Sequence, residues 1–264
     1  MEKMELTEYR RTILQVLLKI DQVCREHHLS YLLYVGTLLG AVRHGGFIPW
    51  DDDIDIAMPR EDYEALARIL RTEDHGIRFL RYDENKDAIW PYGKICDPDT
   101  VLREENFLPV EGYGAFVDVF PMDSGSDKAW KRKWFARRHQ LLLRLIQYTA
   151  RTDYSRSGSA LHDFVRWGAF HLGRHLDRMA LIRRLDEGAR CGGEADSAYF
   201  WVQGNIAVPK SAVLPVRDIT FEGHTLLGPN DPDTLLRRKF GEDYMTPPPP
   251  EKQVPKHSLF CYRK

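Results

Sequence analysis

Ile48-Pro49-Trp50-Asp51-Asp52-Asp53-Ile54-Asp55-Ile56 is the stretch on which the fold of this chain turns. Four carboxylates fall within positions 51 to 55, with isoleucine at 54 and 56. Side chains alternate along a strand. A strand over Asp51–Ala57 therefore puts Asp51, Asp53 and Asp55 on one face and Asp52, Ile54 and Ile56 on the other. The isoleucines can pack into a core, which leaves the acidic row facing a crevice. Three carboxylates on one face repel one another at low effective dielectric, so the row calls for a cation. An all-oxygen donor set suits Mg²⁺ or Mn²⁺. The competing reading is a solvated acidic turn, a common setting for an Asp run. The strand-like alternation and a glycine-rich approach count against it.

That approach is Tyr34-Val35-Gly36-Thr37-Leu38-Leu39-Gly40-Ala41-Val42-Arg43-His44-Gly45-Gly46-Phe47. An apolar strand over Tyr31–Val35 runs into Gly36-Thr37 and then a short helix over Thr37–Arg43. Free N–H groups at a helix start, together with the helix dipole, can hold a phosphate. Gly36 admits close backbone approach, and Thr37 can cap the helix and offer a hydroxyl to a phosphate oxygen. Gly-Thr alone most often marks only an N-cap. Followed so soon by the acidic strand, it describes a phosphate cradle beside a metal site.

The stretch from Tyr34 to Arg60 closely resembles the signature of the LicD family, whose relatives include the fukutin-type proteins. Val117-Asp118-Val119-Phe120-Pro121-Met122-Asp123 resembles its later acidic strand. Phe221-Glu222-Gly223 and Leu235 to Tyr244, with Phe240-Gly241-Glu242-Asp243-Tyr244, resemble its C-terminal block. The likeness touches residues near 31–60, 92–123 and 217–257. It implies an α+β fold: a nucleotidyltransferase-like mixed β-sheet core flanked by helices. The whole chain, 1–264, reads as one such domain, with a helical insertion over 127–196.

From the residues alone, Asp118 is either the partner of an arginine or a metal ligand, because a carboxylate in so apolar a run needs a cation or several donors. The resemblance selects the metal cluster, giving Asp51, Asp53, Asp55 and Asp118 as ligands. It makes Asp53, Asp55 and Asp118 the catalytic acids, with Asp55 or Asp118 as base. Asp123, past Pro121, reads as a helix cap or turn residue. Gly36, Thr37, Arg43 and Lys94 are the phosphate or nucleotide contacts expected, Lys94 because the family often has Lys-Ile near this place. His44, Arg103 and His257 are further candidates, each as readily an ordinary surface side chain. Aromatics at Tyr34, Trp50, Trp90 and Tyr92 could cage a quaternary ammonium or simply be core.

The reaction implied is metal-dependent transfer of a phospho-alcohol from a CDP-linked donor to a glycan hydroxyl, with release of CMP. Phosphocholine, ribitol phosphate and glycerol phosphate are the groups to consider. Lipopolysaccharide, teichoic acid and capsule precursors are the acceptors, some of them lipid-linked. A true nucleotidyltransferase moving a nucleoside monophosphate to a small alcohol or protein would use the same acids. A non-catalytic glycan-binding relative is the third reading, and the presence of every metal-site acid opposes it.

Composition agrees with a globular enzyme. The 264 residues are 43% hydrophobic and 29% charged, enough for a full core under an ordinary soluble surface. A net charge of −1 gives no reason to expect a nucleic-acid partner. Cys24, Cys96, Cys191 and Cys261 are widely spaced and read as free thiols in a reducing cytoplasm. Met1 to Glu5 lacks the basic flank and apolar run of a signal peptide.

Helices are expected over Thr7–Glu26, from Pro59 to Leu70, and over Pro232–Phe240, with helical pattern through Lys128–Arg190. From Lys128 to Arg138 there are six basic residues, with Trp130, Trp134 and Phe135 interleaved. Residues 128–146 therefore read either as a peripheral contact with the inner membrane face or as a solvated helix packing its aromatic stripe onto the core.

Overall fold

The computed structural model describes residues 2–153, 159–202, 206–254 and 259–264, the side chains of 160, 161, 165, 169 and 259 excepted. A short strand β1 (Glu2–Lys3) leads into α1 (Leu6–Glu26), whose stripe of Ile13, Val16, Leu17, Ile20 and Cys24 is buried. Next come β2 (Leu32–Leu33), α2 (Val35–His44), β3 (Asp55–Pro59) and α3 (Arg60–Thr72). Strands β4 (Arg78–Leu80), β5 (Gly93–Cys96), β6 (Thr100–Glu104) and β7 (Phe116–Ser124) follow. Three helices, α4 (Ala129–Ala150), α5 (Ala160–Gly173) and α6 (Arg178–Cys191), separate β7 from β8 (Tyr199–Val202). The chain then forms β9 (Ile206–Pro209), α7 (Lys210–Val213), the hairpin β10 (Arg217–Phe221) with β11 (His224–Gly228), α8 (Pro232–Phe240) and β12 (Leu259–Arg263).

Among the described residues the main sheet is mixed α+β architecture in the order β2-β3-β7-β5-β4, with β8 and β9 continuing from the far end of β7. β3 and β7 run parallel, and the other pairings are antiparallel. β7 is the hub. It is buried through eight of its nine residues, as an apolar strand covered on both faces should be. α1 and α3 pack on this sheet. A separate small sheet, β1-β12-β6, ties the two chain ends to the middle of the sequence.

The expected strand over Asp51–Ala57 begins only at Asp55. Residues 51–54 are irregular, because the Asp51 N–H closes a turn onto the Ile48 carbonyl at 2.9 Å. The Asp51 carbonyl is then taken by the Arg10 guanidinium of α1, Nε at 2.9 Å, rather than by a neighbouring strand. Ile54 and Ile56 are nonetheless fully buried, a contribution of roughly 1.5–3 kcal/mol each.

Asp123 also differs from expectation. It lies inside β7 as a buried acceptor of both Arg60 Nε (2.8 Å) and Nη2 (2.6 Å). Arg60 reaches Asp186 of α6 as well, at 3.0 Å, so this charge network fastens the helical segment to the sheet. α4 and α6 share a small core of Leu142, Ile146, Ile182 and Leu185.

Candidate active site

The irregular backbone at 51–53 gathers acids that a strand would have separated. The carboxylates of Asp51, Asp52 and Asp53 lie within 4.8 Å of one another. Asp52 is therefore inside the cluster and buried, not on an opposite face as alternation predicts. Asp55 and Asp118 stand beside each other as register partners on β3 and β7. Lys94 on β5 is the antiparallel partner of Asp118, and its ammonium donates to Asp118 Oδ1 at 2.6 Å.

The electrostatics follow from this crowding. Burial holds the Asp55 carboxyl well above the usual carboxylate range, with Asp53, Asp118 and Asp51 adding to the rise and Lys94 opposing it. Asp118 is pushed up to about 6 by burial, against the pull of Lys94, with Asp53 and Glu104 raising it further. Lys94 thus pairs with Asp118 and lowers the proton affinity of Asp55 beside it. The Tyr9 hydroxyl of α1 is buried with no hydrogen-bond partner among the described residues, and it feels the charges of Asp52, Asp53 and Asp118. An all-oxygen donor set carrying excess negative charge, with an unpartnered hydroxyl at its edge, fits a hard divalent cation.

The glycine and threonine of the approach serve the acids directly. A Cβ on Gly36 would stand 2.7 Å from Asp51 Oδ2, so only glycine lets that carboxylate close in. α2 starts at Val35, two residues before Thr37, and Tyr34 occupies the cap position. Thr37 thus lies in the first turn instead of capping it. Its Oγ1 accepts the Asp55 N–H at 2.8 Å, while the Asp55 carbonyl accepts the Tyr34 N–H at 2.9 Å. Val35, β-branched, holds φ +44° at this junction, a strained value for such a residue.

The other candidate cations are placed differently. Arg43 Nη1 donates to the Tyr244 carbonyl at 3.0 Å and Nε to His44 Nε2 at 3.0 Å, which ties α2 to the C-terminal block. His44 is exposed, its ring edge-on to Trp50. Arg103 is exposed on β6 and lines a neighbouring cavity with Glu104 and Tyr113. His257 lies outside the described residues.

Residues with no local sequence signal also enter the site. Arg10 pins the acidic turn through the Asp51 and Pro49 carbonyls. Glu104 accepts the Tyr113 hydroxyl at 2.5 Å. Glu104 and Asp118 line one cavity of about 320 Å³ together with Lys94, Trp90 and residues of α4. No spacing in the sequence links Tyr9, Arg10 or Glu104 to the acids.

Residues 28–144 match the family model described as LicD/FKTN/FKRP, nucleotidyltransferase domain. The lipopolysaccharide cholinephosphotransferase LicD of Haemophilus influenzae is 43% identical over 127 residues, which is 47% of this chain and 46% of that protein. An uncharacterised protein of Rickettsia prowazekii is 41% identical over 59 residues, 22% of each chain. One of Rickettsia typhi is 39% identical over 59 residues, 22% of this chain and 19% of its own. The chain thus spans about half or less of the length of these relatives. The matched segment holds all five acids, Gly36, Thr37 and Lys94. The match to the LicD family's nucleotidyltransferase domain thus covers residues 28–144 of the chain.

Proposed function

We propose that the protein is a metal-dependent phosphotransferase that moves a phospho-alcohol group from a CDP-linked donor to a glycan hydroxyl. The observation that carries this is the cluster of Asp51, Asp52 and Asp53 next to the register pair Asp55 and Asp118, whose charges Asp51 and Asp53 reach. The likeness to a lipopolysaccharide cholinephosphotransferase supports the direction of transfer and a lipopolysaccharide-type acceptor.

Asp51, Asp53, Asp55 and Asp118, joined by Asp52, would hold Mg²⁺ or Mn²⁺. Such ions when bound neutralise a diphosphate and acidify a coordinated hydroxyl. The acceptor oxygen forms a bond to the distal phosphorus of the donor as the bond from that phosphorus to the bridging oxygen breaks. The electron pair leaves with CMP. Asp55 or Asp118 takes the proton of the acceptor hydroxyl. Lys94 sets a fixed positive charge at Asp118, beside the phosphate transferred. Gly36, Thr37 and the start of α2 keep Asp51 and Asp55 in place.

α4 supports contact with a lipid-linked acceptor at the inner membrane face. Trp130 and Trp134 are 66% and 55% exposed, and Lys133 and Arg137 share their stripe. Residues 128–150 contain no acid. Exposed tryptophans ringed by cations complement an anionic headgroup layer. No helix among the described residues is long and apolar enough to cross a membrane.

The test is incubation with CDP-choline, CDP-ethanolamine, CDP-ribitol and CDP-glycerol plus a sugar acceptor and Mg²⁺ or Mn²⁺. CMP release from at least one donor is expected. Pyrophosphate release from CTP, with no CMP from any of the four, makes the protein a nucleotidyltransferase instead.

A further inference from the structure

Arg10 of α1 gathers three carbonyl oxygens of the turn that opens the acidic run. Its Nε donates to the Asp51 carbonyl at 2.9 Å, and its Nη2 to the Pro49 carbonyl at 2.8 Å and the Ile48 carbonyl at 3.2 Å. Successive carbonyls of a strand point to opposite sides, so three within four residues reach one group only where the chain turns. A guanidinium, a planar fork with five N–H donors, can span such a set, whereas an ammonium acts as a single point.

The fork is itself held from two directions. Its central carbon lies 5.3 Å from the Phe47 ring centre, and that ring meets Phe221 of β10 edge-on at 5.1 Å. The Phe47 N–H donates to the Glu222 carboxylate at 2.8 Å, and the Glu222 N–H donates to the Gly45 carbonyl at 2.9 Å. The β10–β11 hairpin thus fixes Phe47, and Phe47 orients Arg10. α1 packs on β5 and β7, so the fork is anchored to the sheet that carries Asp118.

The turn is held against charge. The carboxylates of Asp51, Asp52 and Asp53 lie within 4.8 Å of one another and repel, which pushes an unanchored turn open. Fastened from α1, the turn presents its carboxylates already converged. Less of a cation's binding energy then goes into ordering the chain.

We infer that Arg10 is a positioning residue of the metal site: by fastening the Ile48, Pro49 and Asp51 carbonyls it sets how tightly the acidic turn holds a divalent cation. The inference rests on the metal-dependent reading proposed above. Arg10 acts through the backbone of the turn and not as a ligand. It stands before residue 28, where the match to the nucleotidyltransferase domain begins.

Calorimetric titration of the full chain with Mn²⁺ tests it, with thermal melting of the metal-free protein alongside. Arg10→Gln should weaken Mn²⁺ binding about tenfold or more, the usual effect of losing a group that orients metal ligands. Arg10→Lys, whose ammonium reaches one carbonyl at a time, should recover about threefold of that loss. Val16→Ala opens a gap under the buried face of α1 and leaves the Arg10 contacts intact. It should lower the melting temperature more than Arg10→Gln does, yet bind Mn²⁺ like the unaltered protein. Unchanged Mn²⁺ affinity in Arg10→Gln, or an equal loss in Val16→Ala, would overturn the inference. If Arg10→Gln does not fold, the comparison of Arg10→Lys with Val16→Ala decides the same question. No Mn²⁺ binding by the unaltered protein removes the metal reading and the inference together, whereas binding that survives in Arg10→Gln removes the inference alone.

Discussion

Asp55 and Asp118 are register partners on parallel neighbours β3 and β7, so two carboxylates far apart in sequence are held side by side by backbone hydrogen bonding. Their position is a property of the sheet and not of flexible side chains. A site built on paired strands keeps its geometry when one acid is neutralised.

Asp53→Asn and Asp55→Asn should each lower turnover roughly a hundredfold or more while the protein stays folded. Removing one like charge relieves repulsion, so melting without metal should occur at the same or a higher temperature. Activity retained alongside a clearly lower melting point argues against the metal assignment. Asp52→Asn, exempt on strand alternation alone, should weaken Mn²⁺ binding about as much as Asp51→Asn, because the three carboxylates share one cluster. Calorimetric titration with Mn²⁺ compares them.

Gly36→Ala places a methyl group 2.7 Å from Asp51 Oδ2. The carboxylate must move, and metal affinity should fall about tenfold while the melting temperature changes by only a few degrees. Unchanged Mn²⁺ affinity in this variant would show that Asp51 is not a ligand.

His139 of α4 is buried, its Nε2 has no partner among the described residues, and burial with Arg138 nearby lowers its pKa to about 4. The unfolded chain therefore binds the proton first as pH falls below about 6.5. Stability from neutral His139 is present above that pH and is lost on the way down through about 4. His139→Gln should show a shallower loss of melting temperature between pH 6.5 and pH 4 than the unaltered protein. Parallel curves for the two would place the acid lability elsewhere.

The α4 face yields a binding prediction. Lys131 pairs with Glu194 at 2.6 Å and Arg132 donates to the Ser126 and Asp127 carbonyls, so these two bases turn toward the body of the protein. The outward set is Trp130, Lys133, Trp134 and Arg137. Cosedimentation with anionic vesicles should fall with salt and drop sharply in Trp130→Ala/Trp134→Ala, with turnover on a soluble acceptor preserved. No vesicle binding even at low salt would leave α4 as a structural helix.

Much of the fold was legible locally. The span of α1 and the start of α3 after Pro59 lie within a residue or two of expectation, and α8 over Pro232–Phe240 matches it. Periodicity and proline punctuation report backbone geometry within a few residues, and tertiary contacts did not override them there. The acidic run was legible as a group of neighbouring carboxylates but misread as geometry. Strand alternation assumes ladder partners, and the Asp51 carbonyl goes to Arg10 instead. The tryptophans of α4 show a similar limit. An aromatic stripe states that a helix has an apolar face, not whether a partner covers it, and Trp130 and Trp134 stand open while Phe135 packs against Trp201.

The sequence by itself determined which acids are present, their order, the glycine that must precede them and the helices and strands that carry them. These depend on side-chain chemistry and local backbone preference. Only the tertiary structure decided that Asp52 joins the cluster, that Lys94 answers Asp118, and that Trp90, Glu104, Phe107 and α4 enclose one cavity beside it. Those meetings depend on sheet register and on how a distant helix docks, and such long-range pairings leave no periodic trace along the chain.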